Sequence, residues 1–322
     1  MTGGDRLRTD GGADLTVRQA RAADADAVAA FTQDTWSEQG ASDYLPDVFP
    51  HWVESDGPDQ RTFVVDVDDG ADVAGVLQGV MLSDTEAWAQ GMRVNPDYRG
   101  RGLGTKLTRA VFRWARDRGA VVCRNMVFSW NVAGLGTSRA GGFRPGVEFR
   151  WATPEPDGDA EPTLTVEGDA AAADAAWAFW QRSDARTELD GLVMDDEETW
   201  ACSELRREQL REAAAADRLF TVVDGGTRGF TYRSYTTERD TDDDGGTETL
   251  GVYGVAAWDD VETARALYRA VARDAAAEGI DSVRVLIPES VRWVSDTAAT
   301  RTGVSDEPDF LLTADLTDDA LF

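Results

Sequence analysis

The spacing of apolar and polar residues over roughly the first 150 positions predicts strands and helices in a defined order. Runs rich in valine and bounded by turn residues predict strands. These runs are 15–17, 62–67, 73–82, 87–94 and 120–128, and the second and third form a hairpin around residues 68–72. Helical patterns are predicted at 22–31 and after residue 102, where Leu103, Leu107, Val111 and Trp114 recur at steps of four, four and three. The pattern predicts an α/β fold, with a mixed sheet and flanking helices.

A second block of predicted elements follows residues 153–162, TPEPDGDAEP, whose composition is that of a linker. Helices are predicted at 169–182, 197–215 and 261–278, and strands at 219–223, 229–236, 249–256 and 281–287. The two blocks repeat each other at an offset of 160 residues, since Arg109-Ala110-Val111 corresponds to Arg269-Ala270-Val271 and Gly119 corresponds to Gly279. Element order, spacing and identities agree, which favours two tandem domains at 14–152 and 163–322.

Composition and charge narrow the classes of protein to which the chain can belong. The 322 residues include 60 acidic and 32 basic ones, for a net charge of −28, and Lys106 is the one lysine. This composition resembles that of haloarchaeal cytoplasmic proteins, which hold hydration with surface carboxylates at molar salt. The charge argues against a nucleic-acid partner, whose phosphates would be repelled. Neither a long apolar run nor a secretion signal is present, so we expect a cytoplasmic protein with no membrane partner.

Residues that usually bind metals are scarce in this sequence. Cys123 and Cys202 lie in apolar surroundings and are predicted to be buried free thiols. One histidine, His51, disfavours a histidine metal site and a Ser-His-Asp triad, and two cysteines exclude a cysteine-rich zinc site. We therefore expect no metal cofactor.

The stretch NPDYRGRGLGTKL, residues 95–107, lies between a predicted strand and a predicted helix. Free N–H groups at the start of a helix attract anions, and glycine lets the backbone approach a phosphate closely. Residues 91–119 hold eight cations and two acids, a local sum of +6 in a chain of −28. The sequence therefore predicts a polyphosphate site, with a plain turn or an arginine-rich helix face as the alternatives. Neither GxGxxG nor a Walker motif is present, which argues against dinucleotide and P-loop folds.

Residues 94–104, VNPDYRGRGLG, resemble the acyl-CoA loop of the GNAT superfamily of N-acetyltransferases, V-x-P-x-x-R/Q-G-x-G-x-G/A. Asn131 and the later Gly142-Phe143 resemble the Asn and the Gly-Phe ending of that family, so the resemblance covers roughly residues 14–150. It implies acetyl-CoA as cosubstrate, with the pantetheine arm along the strand and the pyrophosphate at the loop. The residues that the resemblance places at the cosubstrate are Met92, Arg93, Val94, Arg99, Gly100, Arg101, Gly102, Leu103, Gly104, Thr105 and Asn131.

The resemblance leaves the acid and the base of the reaction open. Many relatives carry Glu where this chain has Gln90 and Tyr where it has Ser138. His51 lies in 43–53, DYLPDVFPHWV, an aromatic-rich element with two prolines that would wall the acceptor pocket. This element faintly resembles that of histidine N-acetyltransferase-like members, which implies a small amine or free amino acid as acceptor. The candidates for acid–base chemistry are Glu86, His51 and Ser138, with Asp84 as a further carboxylate.

The second block differs from the first at the predicted anion site. The offset of 160 residues places Asp259 and Glu262 where the first block has Arg99 and Gly102, and these acids would repel a pyrophosphate. The second block is therefore predicted to be a degenerate GNAT-like domain without a CoA site, which covers the first domain or walls its substrate pocket. The whole chain is expected to be an N-acetyltransferase. A catalytically silent acyl-CoA sensor or scaffold is the alternative, and a homodimer stays open.

Overall fold

The computed structural model describes residues 14–35, 42–68, 70, 72–240 and 246–322. They form two compact units. Unit 1 contains the chain up to Val127, then Asn131–Pro145 and Leu311–Phe322, whereas unit 2 contains Phe128–Trp130 and Gly146–Phe310. The last strand of the chain therefore belongs to the same unit as the first.

The described residues form the following helices and strands. The strands are β1 Leu15–Gln19, β2 Gln60–Val67, β3 Asp72–Met81, β4 Glu86–Val94, β5 Val122–Phe128, β6 Arg144–Thr153, β7 Thr165–Glu167, β8 Leu192–Met194, β9 Cys202–Glu204, β10 Leu219–Val223, β11 Thr227–Asp240, β12 Thr247–Trp258, β13 Ser282–Pro288, β14 Gly303–Val304 and β15 Asp309–Asp315. The α-helices are α1 Ala25–Thr32, α2 Leu45–Ser55, α3 Leu103–Arg116, α4 Val132–Gly141, α5 Ala170–Trp180, α6 Asp184–Glu188, α7 Arg207–Ala215, α8 Val261–Ala277 and α9 Val291–Ala299.

The sheet of unit 1 has the order β1-β2-β3-β4-β5-β15. Its first four strands are antiparallel, whereas β4 and β5 run parallel and pair only from Glu86↔Val122 to Trp88↔Arg124. Beyond Trp88, therefore, β4 has no strand partner on its β5 side among the described residues. The two strands separate at the end of β4 that leads into the glycine-rich loop.

Helices cover both faces of this sheet. On one face, α1 and α2 bury a cluster that includes Val28, Phe49 and Val76. On the other face, α3 buries Leu103, Leu107, Val111 and Trp114, which confirms the predicted apolar stripe. A Cβ atom at Gly79 of β3 would lie 2.8 Å from Val111, so glycine at this position lets α3 approach the sheet closely.

Unit 2 repeats the element order of unit 1. Its sheet has the order β7-β10-β11-β12-β13-β6, β14 pairs with β6, and β8 and β9 form a separate pair. Strands β12 and β13 are parallel and are joined by the helix α8, as β4 and β5 are joined by α3. Gly119 and Gly279, which the offset of 160 residues relates, both have positive φ values after these helices. The mixed α/β fold predicted from the sequence is confirmed.

The structure corrects several predicted elements. Residues 197–215, predicted to be one helix, form β9 and α7, because residues 202–204 pair with β8 and bury Cys202. The element at 43–53 is the helix α2, which tolerates Pro46 in its first turn and continues through Pro50. Strands β6 and β15 were not predicted. The two units also differ from the boundaries 14–152 and 163–322, since 146–152 belong to unit 2 and 311–322 to unit 1.

The state of the cysteines and the character of the helices bear on predictions made from composition. Cys123 and Cys202 are free and buried, as predicted, and burial raises the pKa of the Cys123 thiol. Within the described ranges, no helix combines the length and the apolar character that crossing a membrane requires.

Candidate active site

The start of α3 presents a row of backbone N–H groups to the surface. Gly100 and Gly102 both adopt positive φ, 76° and 70°, and Gly102 is the N-cap residue, so no side chain caps this helix. Within the described part of the chain, no acceptor bonds to the amides of residues 100–105. Such N–H groups need an acceptor, and the helix dipole adds a favourable field for an anion. Arg99 and Arg101 are exposed on either side of Gly100.

Side chains on both sides fix the shape of this loop. Asn95 accepts a hydrogen bond from the amide of Asp97 (3.1 Å), and the hydroxyl of Tyr98 donates to Asp72 (3.1 Å). The guanidinium of Arg101 lies 5.3 Å from the centre of the Tyr98 ring. Desolvation, and secondly the bond to Asp72, raise the pKa of Tyr98, so its hydroxyl stays protonated. Tyr98 therefore packs beside the loop.

A β-bulge interrupts β4 immediately before the loop. Gln90 pairs with Gln78 and Arg93 pairs with Val76, so two residues of β4 oppose the single residue between them on β3. Gly91 has a φ of 69°, and a Cβ atom there would lie 2.5 Å from the ring of Trp52 on α2. Glycine is therefore required both by the backbone and by the close approach of α2. The bulge lies where β4 and β5 separate.

Arg93 follows the bulge and is held by the segment before α2. Its Nε and Nη2 atoms donate to the two carboxylate oxygens of Asp43 over 2.6 and 3.1 Å, and the Asp43 side chain is fully buried. Its Nη1 atom donates to the carbonyl oxygen of Met92 (3.0 Å). Arg93 thus ties the wall formed by α2 to the end of β4.

A chain of hydrogen bonds crosses the sheet from β4 to the end of α2. Gln90 Nε2 donates to Gln78 Oε1 (2.8 Å), and Gln78 Nε2 donates to Thr62 Oγ1 (3.3 Å). The Thr62 hydroxyl then donates to Asp56 Oδ1 (3.1 Å). Every donor points toward the Asp56 carboxylate, which fixes the direction of the whole chain. The Nε2 atom of Gln90 is therefore turned toward Gln78, and its carbonyl oxygen points in a different direction within the same amide plane.

The unsatisfied amides, the bulge and the separated parallel strands all lie within one segment of unit 1. That segment falls inside a known family model. Residues 25–135 match the model of the acetyltransferase (GNAT) family. The glycine-rich loop at the start of α3 lies within the matched residues.

Solved structures show the same fold over nearly the whole chain. A GCN5-related N-acetyltransferase from Sphaerobacter thermophilus is 16% identical with a TM-score of 0.60, and the match covers 94% of this chain and 96% of that one. A putative acetyltransferase from Pyrococcus horikoshii is 13% identical with a TM-score of 0.51, over 98% and 92% of the two chains. Among curated proteins, none matches this chain.

The structure places the three predicted acid–base residues of unit 1 apart from one another. Glu86 is buried at the start of β4, where Arg124 donates to it over 2.5 Å. Ser138 on α4 accepts a hydrogen bond from Asn125 (2.9 Å), and successive residues of β5 point to opposite faces of the sheet. Glu86 and Ser138 therefore lie on opposite faces, while His51 is exposed on α2. Their catalytic roles stay predictions.

Asn131, predicted to lie near the pantetheine arm, caps the helix α4 of unit 1. Its side-chain oxygen accepts a hydrogen bond from the amide of Gly134 (2.8 Å) at the start of α4. The same region is packed tightly against α3, because a Cβ atom at Gly104 would lie 2.4 Å from Thr137 Cγ2. A role for Asn131 toward the cosubstrate stays a prediction.

The corresponding helix start in unit 2 is closed by a carboxylate. Asp260 caps α8 by accepting hydrogen bonds from the amide and the hydroxyl of Thr263, both at 2.9 Å. The bond from the Thr263 amide lowers the pKa of Asp260, which favours the ionised carboxylate. Arg228 pairs with Asp260 (2.7 Å) and with Asp259 (3.3 Å). Thus α3 offers its N–H groups to a ligand, whereas α8 uses them internally.

The hydrogen-bond chain from Gln90 through Gln78 and Thr62 to Asp56 was not predicted from the sequence. Polar residues at positions 62, 78 and 90 within apolar strand runs are the one sequence feature that could have indicated it. Only the strand registers show that these residues lie on one face of the sheet.

Proposed function

We propose that this protein is an acetyl-CoA-dependent N-acetyltransferase that acts on the primary amine of a small molecule or amino acid. The observation that supports it best is the row of amides at residues 100–105, which lies beside the gap between β4 and β5. The family match over residues 25–135 supports the same reaction class.

The residues at the start of α3 fit the diphosphate of acetyl-CoA. Gly100 and Gly102 have open space where a side chain would lie, so a phosphate can approach the backbone N–H groups directly. Arg99 and Arg101 would add two cations in a chain of −28. When bound, acetyl-CoA supplies an acetyl group as a thioester, whose carbonyl carbon an amine can attack with release of the thiol. Met92 and Val94 lie at the end of β4 that has no partner on its β5 side among the described residues. Their backbone groups would pair there with an extended arm.

On the acceptor side, we assign a positioning role to Gln90. A glutamine cannot take a proton from an ammonium group, but its carbonyl oxygen can accept a hydrogen bond from an amine. The chain through Gln78 and Thr62 would hold that oxygen in one orientation. The proton that the amine loses would then pass to water or to His51, the predicted base on α2. Because no carboxylate stands at position 90, the reaction would depend on amine that is already neutral.

Unit 2 would be a degenerate GNAT-like domain in a tandem arrangement. Its repeated element order and its matching parallel pair β12–β13 support this proposal. The carboxylate cap at Asp260 would prevent it from binding a second acetyl-CoA.

The experiment that tests the proposed function follows thiol release from acetyl-CoA with a panel of amines and amino acids at molar potassium chloride. High salt is used because the acidic composition resembles that of haloarchaeal proteins. Release above the background rate with any amine supports the enzyme. Saturable binding of acetyl-CoA without release across the panel would instead favour the silent sensor, and absence of binding would remove both functions.

A further inference from the structure

A cavity of about 190 Å³ lies entirely within unit 2, at the ends of β12 and β13 where these strands begin. None of the residues that line it belongs to the acetyl-CoA site proposed for unit 1. Apolar side chains form part of its wall, and two arginines, a serine, a threonine and a glutamate supply its polar groups. The residues that line it include Arg284, Arg239, Ser282, Leu250, Val283 and Pro154.

Arg284 is the unusual member of this wall. Its guanidinium lies over the ring of Trp200, 4.9 Å from the ring centre, and 5.8 Å from the ring centre of Trp151. Within the described residues, no carboxylate or carbonyl oxygen forms a hydrogen bond with it. Burial, and secondly the nearby Arg239, lower the pKa of Arg284, while Asp309, Tyr235 and Glu248 act in the opposite direction. A half-buried cation without a hydrogen-bonded anion is costly, so such a group usually has a ligand or a partner.

The residue that stacks on Arg284 has a strained backbone. Trp200 has a φ of 67°, in the left-handed region that large side chains rarely adopt. Its amide donates to the hydroxyl of Tyr235 (3.3 Å), and its ring meets that of Trp151 edge to face. Strained residues held in place by their surroundings concentrate at ligand sites. Here the strained residue holds an aromatic ring against the guanidinium, and Arg284 also lines the cavity.

The other polar groups of the wall are joined by hydrogen bonds. Arg239 forms an ion pair with Glu248 and donates from Nη2 to Ser282 Oγ (3.4 Å), and the Ser282 hydroxyl donates to Glu248 Oε1 (3.5 Å). Glu248 thus compensates Arg239, whereas Arg284 has no hydrogen-bonded carboxylate within the described residues. Glu155 lines the outer part of the cavity and is exposed to solvent, where water screens its charge.

We propose that this cavity binds a small organic carboxylate. The planar fork of the Arg284 guanidinium matches the two oxygens of a carboxylate. Ser282 lies two residues before Arg284 on the same strand. Leu250, Val283 and Pro154 would contact the apolar body of the ligand. Inorganic phosphate offers the same oxygens to Arg284 but has no apolar body, so these walls favour a carboxylate.

The test titrates the full-length protein with benzoate, succinate and inorganic phosphate separately, by calorimetry at constant potassium chloride. Saturable binding of a carboxylate, weakened at least tenfold in Arg284→Gln, is the expected result. Arg273→Gln, an exposed arginine on α8 outside the cavity, is the matched control and should bind as the wild type does. Affinity for acetyl-CoA should be unchanged in Arg284→Gln, which separates this site from the one in unit 1.

A second variant guards against misfolding of Arg284→Gln. Ser282→Ala removes one hydroxyl from the cavity and should weaken carboxylate binding severalfold while the thermal unfolding temperature stays close to that of the wild type. The proposal is overturned if neither carboxylate binds, if phosphate alone binds, or if folded Arg284→Gln binds carboxylate with undiminished affinity.

Discussion

Gln90 on β4 donates a hydrogen bond to Gln78 on β3 over 2.8 Å, so one amide side chain orients another on the face of the sheet that α2 covers. Gln78 is buried and donates in turn to Thr62, which is also buried. A polar chain of this kind is stable only when each member finds its partner, and here the Asp56 carboxylate ends it. The amide at position 90 is therefore a positioned group with a defined direction.

Substitutions of Gln90 distinguish a role in positioning the amine from a role in proton transfer. Gln90→Ala should lower kcat/KM by roughly tenfold at all pH values, since one oriented hydrogen bond is lost. Gln90→Glu introduces a carboxylate that can act as a base, so the rate should be maintained to lower pH than in the wild type. The pH profile of kcat/KM with one amine measures both effects. Identical profiles for the wild type and both variants would show that Gln90 does not contact the acceptor.

The proposed acetyl-CoA site depends on the charge and backbone at Gly102. Gly102→Glu should weaken acetyl-CoA binding by about a hundredfold or more, because a carboxylate at the start of α3 would occupy or repel the anion site. Gly102→Asn is the matched control, since asparagine tolerates the left-handed backbone and adds no charge. It should bind within about tenfold of the wild type. Calorimetric titration that finds equal affinity for all three proteins would place the acetyl-CoA site elsewhere.

The packing of α3 on α4 can be tested at Gly104. Gly104→Ala puts a methyl group 2.4 Å from Thr137 Cγ2, and such overpacking should reduce the free energy of unfolding by about 1–3 kcal/mol. Gly136→Ala, where a Cβ atom meets nothing within 4 Å, is the control and should be neutral or stabilising. Denaturant unfolding gives the values. Adding Thr137→Ala should restore most of the stability lost in Gly104→Ala, and failure to do so would argue against this contact.

Acid sensitivity should depend in part on Asp24, which accepts two hydrogen bonds from Arg18, each of 2.8 Å. Desolvation works to raise the pKa of Asp24, but the bonds from Arg18 and from the Arg21 amide outweigh it and lower the pKa below 3.8. Its stabilising contribution is therefore present above pH 3.8 and is lost as the pH falls through the lowered value. Asp24→Asn should reduce stability near neutral pH and flatten the loss of stability in acid.

Denaturant unfolding between neutral pH and roughly pH 2.5 at constant salt measures this dependence. Asp26→Asn is the comparison variant, because Asp26 is exposed on the same helix turn. An acid limb as steep in Asp24→Asn as in the wild type would show that the pair with Arg18 does not contribute.

Removing residues 311–322 should unfold unit 1. This segment contributes β15 and buries Leu311, Leu312 and Ala314. Each buried leucine contributes about 1.5–3 kcal/mol, so the total lost is comparable with the stability of an ordinary domain. The truncated protein should therefore lose acetyl-CoA binding even though the loop at 100–105 is intact. Leu312→Ala is the milder variant and should lower the unfolding free energy by about 2–5 kcal/mol. Retained acetyl-CoA affinity after truncation would contradict the assignment of β15 to unit 1.

The local features of unit 1 could be predicted from the sequence, because they depend on neighbouring residues. The stripe of Leu103 and Leu107 gave the helix α3, and the glycines before it indicated its exposed N–H groups. The family resemblance carried by residues 94–104 then indicated which ligand class to expect. These features need only the spacing of residues along the chain.

Features that depend on pairing between distant residues could not be predicted in the same way. The sequence of β15, DFLLTAD, is a short apolar run that periodicity cannot assign to a strand or a partner. The polar chain ending at Asp56 requires the registers of three strands, and the position of Arg284 against Trp200 requires a contact between residues 84 positions apart. Gln90 illustrates the difference, since the sequence showed that it replaces a family glutamate but not what orients it.

The assignment of β15 to unit 1 has a consequence for synthesis of the chain. A ribosome releases the glycine-rich loop and β5 roughly 180 residues before it releases β15, so the sheet of unit 1 keeps an open edge while all of unit 2 is made. Exposed strand edges promote aggregation, and in a cell the nascent chain would need either rapid folding of unit 2 or a chaperone during this interval. The order of translation, rather than the final stability, would then limit the yield of active protein.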